Sequence, residues 1–165
     1  MAGTSDLLLK RFRLQRLAIE FNDAWLGSDK RAAEEGYESD ADFDLWRSQT
    51  KPDSCMVMLR VDCRAPAEAA ETRFLHAGIT LWGVFATEPS LGETVKHQLS
   101  EYNTVAILHG IARGVIVSAT GSCPGGPFLL PVINYQEIVE RKQQTSTEKS
   151  ETDECQEPVE GLGDE

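Results

Sequence analysis

Apolar and polar residues alternate through most of the first half of the chain. Phe12 and Leu14 alternate with Arg13 and Gln15, the phase slips by one at Arg16, and Leu17, Ile19 and Phe21 resume it. That pattern predicts a strand with a bulge, and a helix over 6–20 is the competing assignment. Residues 42–50 set Phe43 and Leu45 against Asp42, Asp44 and Trp46, a short strand followed by the turn Lys51-Pro52-Asp53. Next comes the clearest strand, with Cys55, Val57, Leu59, Val61 and Cys63 on one face and Met56, Met58, Arg60, Asp62 and Arg64 on the other. Its antiparallel partner reads as 72–87, with Gly78 and Gly83 as bulge or close-approach points. The stretch 22–42 mixes glycine, carboxylates and serine with the isolated large groups Trp25, Leu26 and Tyr37, which predicts a long surface loop.

The period changes in the second half. Residues 90–101 read as a polar helical segment, and an apolar helix then starts at Asn103 or Thr104, either of which can cap it. Val105, Leu108, His109, Ala112, Val115, Ile116 and Ala119 recur at helical spacing, while Ile107, Ile111 and Val117 make the opposite side apolar as well. Across that pattern runs a ridge of small residues, Ala106, Gly110, Gly114 and Ser118, which lets another backbone come close. Because two glycines cost a helix about 1 kcal/mol each, the ridge is read as an oligomer interface, against the plainer use of seating the helix on its own sheet. Gly121 is expected to end the helix as a left-handed cap, and Pro124, Gly125, Gly126, Pro127 and Pro131 keep the next segment irregular. Asn134 can cap a last helix from Tyr135 to about Gln144. Strands first and helices after favour an α+β domain with helices on one face of an antiparallel sheet.

Composition narrows the partners. The chain has 165 residues, 41% of them hydrophobic, and a formal charge of −11, which suits one domain and argues against nucleic-acid binding, since phosphates need a basic face. Three parts are expected: a flexible stretch 1–10, a folded domain 11–144, and an acidic disordered tail 145–165 with eight carboxylates against Lys149. The apolar helix is too short and too interrupted by His109 and Arg113 for membrane insertion, and no targeting segment is visible, so a cytoplasmic protein is expected. Cys55, Cys63, Cys123 and Cys155 are scattered, and His76 and His97 lack ligand spacing, so neither a metal nor any other cofactor is expected. His109 reads as a buried histidine and Cys123 as structural, although a small enzyme using either is the reading from a different class.

The set Met58-Leu-Arg-Val61, Glu71-Thr-Arg-Phe74, Gly83-Val-Phe85, Tyr102-Asn-Thr-Val-Ala-Ile-Leu108, Ala112-Arg113 and Phe128-Leu-Leu-Pro-Val-Ile-Asn-Tyr135 resembles the SecB family of export chaperones in order and spacing. Phe12-Arg-Leu-Gln-Arg-Leu17 resembles that family's first strand. The resemblance covers about 12–144. It implies a four-stranded antiparallel sheet with two main helices and a homotetramer built as a dimer of dimers. It also implies a non-enzymatic, ATP-independent holdase for unfolded polypeptides, preproteins awaiting export in the first place. A related branch serves one antitoxin of a toxin-antitoxin system, and the translocase ATPase is a further partner the family suggests. His76, Ala77 and Gly78 stand where that ATPase would meet acidic groups, and Trp82 replaces a glycine. On this reading Phe128, Leu129, Leu130 and Ile133, with Trp25, Leu26 and Tyr37 from the early loop, line the client groove, because extended peptide needs large apolar side chains on loops. The alternative is that they simply cover the sheet.

Overall fold

The alternating segments pair into one four-stranded antiparallel sheet. The computed structural model describes residues 6–23, 25, 36–66 and 72–153, with side chains in the last stretch described through residue 144. Strands β1 (Leu7–Phe21), β2 (Glu38–Arg47), β3 (Ser54–Arg64) and β4 (Phe74–Thr87) lie in the order β1-β4-β3-β2. β1 is a strand, and its register slips between Leu14 and Arg16, where the apolar phase breaks in the sequence. It begins at Leu7, before the expected start of the domain, because Leu7 and Leu9 pair with Thr87 and Phe85 and continue the inner face. Gly78 and Gly83 are not bulges, since the β3–β4 register runs unbroken through both. They are close approaches: a Cβ on Gly83 would stand 3.1 Å from Leu108 Cδ2, and one on Gly78 would stand 2.6 Å from Asp62 Oδ1.

Helix α1 (Glu93–Gln98), a π-helical turn (Leu99–Asn103) and helix α2 (Thr104–Thr120) follow without a break. The expected cap at Asn103 or Thr104 is absent, for Asn103 is itself right-handed helical and makes no capping bond. Hydroxyls explain the continuity: Ser100 donates to the Lys96 carbonyl at 2.7 Å and Thr104 to the Ser100 carbonyl, satisfying the backbone around the wider turn. Lys96 Nζ reaches Asp53 Oδ1 at 2.7 Å and ties this helix to the β2–β3 turn.

Val105, Leu108, Ala112 and Ile116 are fully buried, and α2 lies over β3 and β4. Helix α3 (Tyr135–Asp153) starts on Asn134, whose Oδ1 accepts the Glu137 N–H at 3.4 Å, and it runs well past Gln144. Its Ile138 and Val139 join the core, and Val139 stands with Phe43 and Leu45 of β2. Arg141 donates to the Ala41 carbonyl, while Lys142 reaches Asp42 at 3.1 Å and Asp44 at 2.9 Å. Those contacts cover an edge strand that would otherwise be open to pairing. The inner face of the sheet therefore carries both main helices, and among the described residues its outer face carries none.

Candidate client-binding surface

The loop after α2 is positioned by residues on three elements. Thr120, fully buried at the end of α2, donates through Oγ1 to the Ile116 carbonyl at 2.7 Å and accepts the Phe128 N–H at 2.8 Å. That hydroxyl does what a left-handed glycine was expected to do. Gly121 is right-handed (φ −61°), and the left-handed positions are Gly125 (φ 85°) and Gly126 (φ 95°). Gly125 has a second reason to be glycine, since a Cβ there would lie 2.8 Å from Arg73 Nη1 and 2.9 Å from Trp25 Cη2.

Arg73 is the buried organiser of this corner. Its guanidinium donates to the carbonyls of Pro124 (3.4 Å) and Pro127 (3.2 Å) and lies over the Phe74 ring at 4.7 Å and the Trp25 ring at 6.0 Å. A buried cation needs such compensation, here from carbonyl dipoles and π-faces. Phe74 packs on Phe21 (4.8 Å) and Phe128 (5.2 Å), and Phe128 meets Tyr37 edge-on at 5.0 Å. The Tyr37 hydroxyl donates to the Phe74 carbonyl at 3.1 Å and accepts its N–H at 3.2 Å, closing the end of the sheet.

Burial alternates from Phe128 to Leu130 and then loses that phase. Phe128 and Leu130 are buried, Ile133 is half-buried, and Leu129 and Val132 point to solvent at 52% and 79% exposure. Trp25 is buried against Arg73, Tyr37 is half-buried, and Leu26 lies outside the described residues. Of the expected groove residues, Trp25, Tyr37 and Phe128 gather around Arg73 and Phe74, Leu130 is part of the core with Ile133 packed against it, and Leu129 is accessible, as is Val132. Val132, Arg73, Phe74 and Phe21 were not among the sequence candidates. Arg73 carried no local signal, because the carbonyls that hold it lie more than fifty residues further along the chain.

The small-residue ridge faces outward. Gly110, Gly114 and Ser118 are exposed, Ala106 is half-buried, and a Cβ on Gly110 or Gly114 would meet nothing within 4 Å. Near the start of α3, His109 is buried and its Nδ1 shares a 3.0 Å hydrogen bond with the Tyr135 hydroxyl. Burial, then the charge of Arg113, holds its pKa below the usual imidazole value, against a smaller pull from the Pro131 backbone. Burial pushes the Cys63 thiol up to about 11 and raises Cys55 as well, which makes both poor nucleophiles. Among the described residues no group of three acidic, histidine or cysteine side chains could hold a metal, and no helix is long and apolar enough to cross a membrane.

A SecB-like chaperone of Mycobacterium tuberculosis, solved in complex with a ChAD peptide from the HigA1 antitoxin, matches with a TM-score of 0.50 over 78% of this chain and 91% of that one, at 15% identity. The chain has a SecB-like fold. A protein of unknown function from Streptococcus agalactiae matches at a TM-score of 0.43 and 11% identity, over 79% of this chain and all of that one. In sequence, an uncharacterized protein of Methanocaldococcus jannaschii is 24% identical over 115 residues, which is 68% of this chain and 73% of its relative. No family model matches the sequence. In the SecB-like frame, His76 and Gly78 lie on the outer sheet face, where His76 Nε2 and Asp62 Oδ1 are 2.8 Å apart, whereas Ala77 faces the core.

Proposed function

We propose that this chain is a chaperone that holds a non-native polypeptide without ATP, and that its client is one dedicated, antitoxin-like partner. The observation that carries the proposal is the SecB-like fold shared with a chaperone solved with an antitoxin peptide. Fold alone does not fix function, so the local chemistry matters. The loop from Phe128 is anchored by an aromatic corner and leaves Leu129 and Val132 exposed, which gives an unfolded client apolar surface to cover on a preordered support. Covering each of these side chains fully is worth about 1.5–3 kcal/mol. The proposal places the protein in the cytoplasm and gives it no catalytic step.

Assembly into a tetramer forms part of the same proposal, with Ala106, Gly110, Gly114 and Ser118 at the contact between helices of different protomers. The exposed ridge supports that reading, since glycines that meet nothing within a protomer have no packing use there. The deciding experiment is aggregation of a chemically unfolded client with stoichiometric protein and no ATP. Suppression is expected, and unimpeded aggregation would reject the holdase reading. A pulldown then separates the branches: one small partner is expected, whereas many nascent preproteins would assign the general export role. Light scattering that returned the protomer mass would reject the tetramer.

A further inference from the structure

The outer face of the sheet carries a basic strip beside an apolar one. Arg11, Arg13 and Arg16 pair across β1–β4 with Val84, Trp82 and Thr80, so all three leave the sheet on the side away from α2. Met56 and Met58 stand next to Val84 and Trp82, and Trp46, 45% exposed, stands next to Met56. The aspartates on this face are engaged: Asp42 and Asp44 by Arg60 and Lys142, and Asp62 by His76. Among the described residues no carboxylate lies within ion-pair distance of Arg11, Arg13 or Arg16, and Arg11 instead sits 5.7 Å over the Trp82 ring. A chain with a net charge of −11 thus places three arginines without ion-pair partners on one strand, with Glu20, four residues beyond Arg16, as the carboxylate of that strand's outer face. Like charges on neighbouring same-face positions repel, and an anionic occupant relieves that cost.

An occupant of matching chemistry belongs to the chain itself. Residues 154–165 carry Glu154, Glu157, Glu160, Asp164 and Glu165 with no cation, and Val159 and Leu162 as apolar groups. Reach is sufficient. Lys142 grips the edge of β2 at the outer-face aspartates, and helix α3 continues from there to Asp153, about 16 Å at 1.5 Å per residue. Crossing four strands takes about 14 Å more, while twelve extended residues span about 40 Å.

We propose that the acidic segment 154–165 docks on the outer sheet face, its carboxylates against Arg11, Arg13 and Arg16 and its apolar groups on Trp82 and Met58. The docking screens the strip and makes any partner of this face compete with an acidic peptide already present. The inference stands apart from the client reading, because it uses the opposite face from the Phe128 loop. Cys155 lies inside the segment and supplies a probe site, while Cys55 and Cys63 are buried. With a nitroxide on Cys155 of the whole chain carrying Cys123→Ser, the indole N–H signals of Trp82 and Trp46 should lose most of their intensity. Trp25, buried beside Arg73, should keep its signal. Raising salt to about 0.5 M, or combining Arg11→Glu with Arg13→Glu, should restore the lost signals. Undiminished signals from Trp82 and Trp46 would overturn the proposal, and so would losses that survive both the salt and the charge reversals.

Discussion

Thr120→Val tests whether one hydroxyl holds the loop that follows α2 to the end of that helix. Valine keeps the shape of threonine, so the cavity term is small and the change isolates the oxygen. The Ile116 carbonyl keeps its main-chain partner in the helix ladder, but the buried Phe128 N–H loses its acceptor. An unsatisfied buried donor costs about 1–3 kcal/mol. For a domain of this size each kcal/mol lowers Tm by about 2–4 °C, so a fall of about 2–12 °C is expected. Thr120→Ser is the matched control, because it keeps the oxygen and gives up one methyl group worth about 0.8 kcal/mol. The discriminating assay is amide hydrogen exchange at Phe128, which should stay slow in the wild type and in Thr120→Ser and quicken in Thr120→Val. Equal protection in all three would refute the role given to the hydroxyl, as would a larger loss of stability in the serine variant.

Three further perturbations bear on other parts of the molecule. Gly110→Ala with Gly114→Ala adds methyl groups into open space, so a protomer on its own should gain about 0.5–1 kcal/mol per site in urea unfolding, while light scattering should show a weakened assembly. Leu129→Asp with Val132→Asp removes the accessible apolar groups of the loop and should weaken client binding by roughly 2–4 kcal/mol, about 30- to 1000-fold in Kd, with the circular dichroism spectrum unchanged. The third concerns His109, whose folded pKa lies below the unfolded value of about 6.5, so below that pH the unfolded chain binds the extra proton. Stability should therefore be complete above about pH 6.5 and decline as pH falls towards 5, and His109→Gln should flatten that slope in denaturant titrations.

Period-2 alternation made the sheet readable because β2, β3 and β4 have one face under the helices and one face open, so the pattern records burial directly. Even the slip at Arg16 survived into the register. The join between α1 and α2 was not readable, since Ser100 and Thr104 resemble boundary residues and only their side-chain bonds to Lys96 and Ser100 carbonyls reveal that the helix continues. Arg73 was hidden for a different reason. A charged residue reads as solvated unless its partners are known, and the carbonyls of Pro124 and Pro127 are more than fifty residues away. The run Phe128 to Leu130 read as a single apolar block, but burial divides it, with Phe128 and Leu130 facing in and Leu129 facing out.

The inner face of the sheet carries a geometric argument about assembly. Helix α3 lies against β2 and α2 lies over β3 and β4, each helix about 10 Å wide, while four strands span about 14 Å between their outer axes. Middle β1 receives neither helix. Phe12 and Leu14 are in register with the buried positions Gly83 and Leu81, yet they remain 49% and 41% exposed. Apolar side chains on the core-facing side of an edge strand are costly to leave in water, and the ridge of α2 lies bare on the same layer. A helix from another copy would cover both at once, and close approach to Gly110 and Gly114 is what such a helix would need. On that argument Phe12→Glu should behave like a bulky substitution on the ridge. Each should lower the assembled mass, and the Phe12→Glu protomer should keep its thermal stability because the side chain it replaces is already half in solvent.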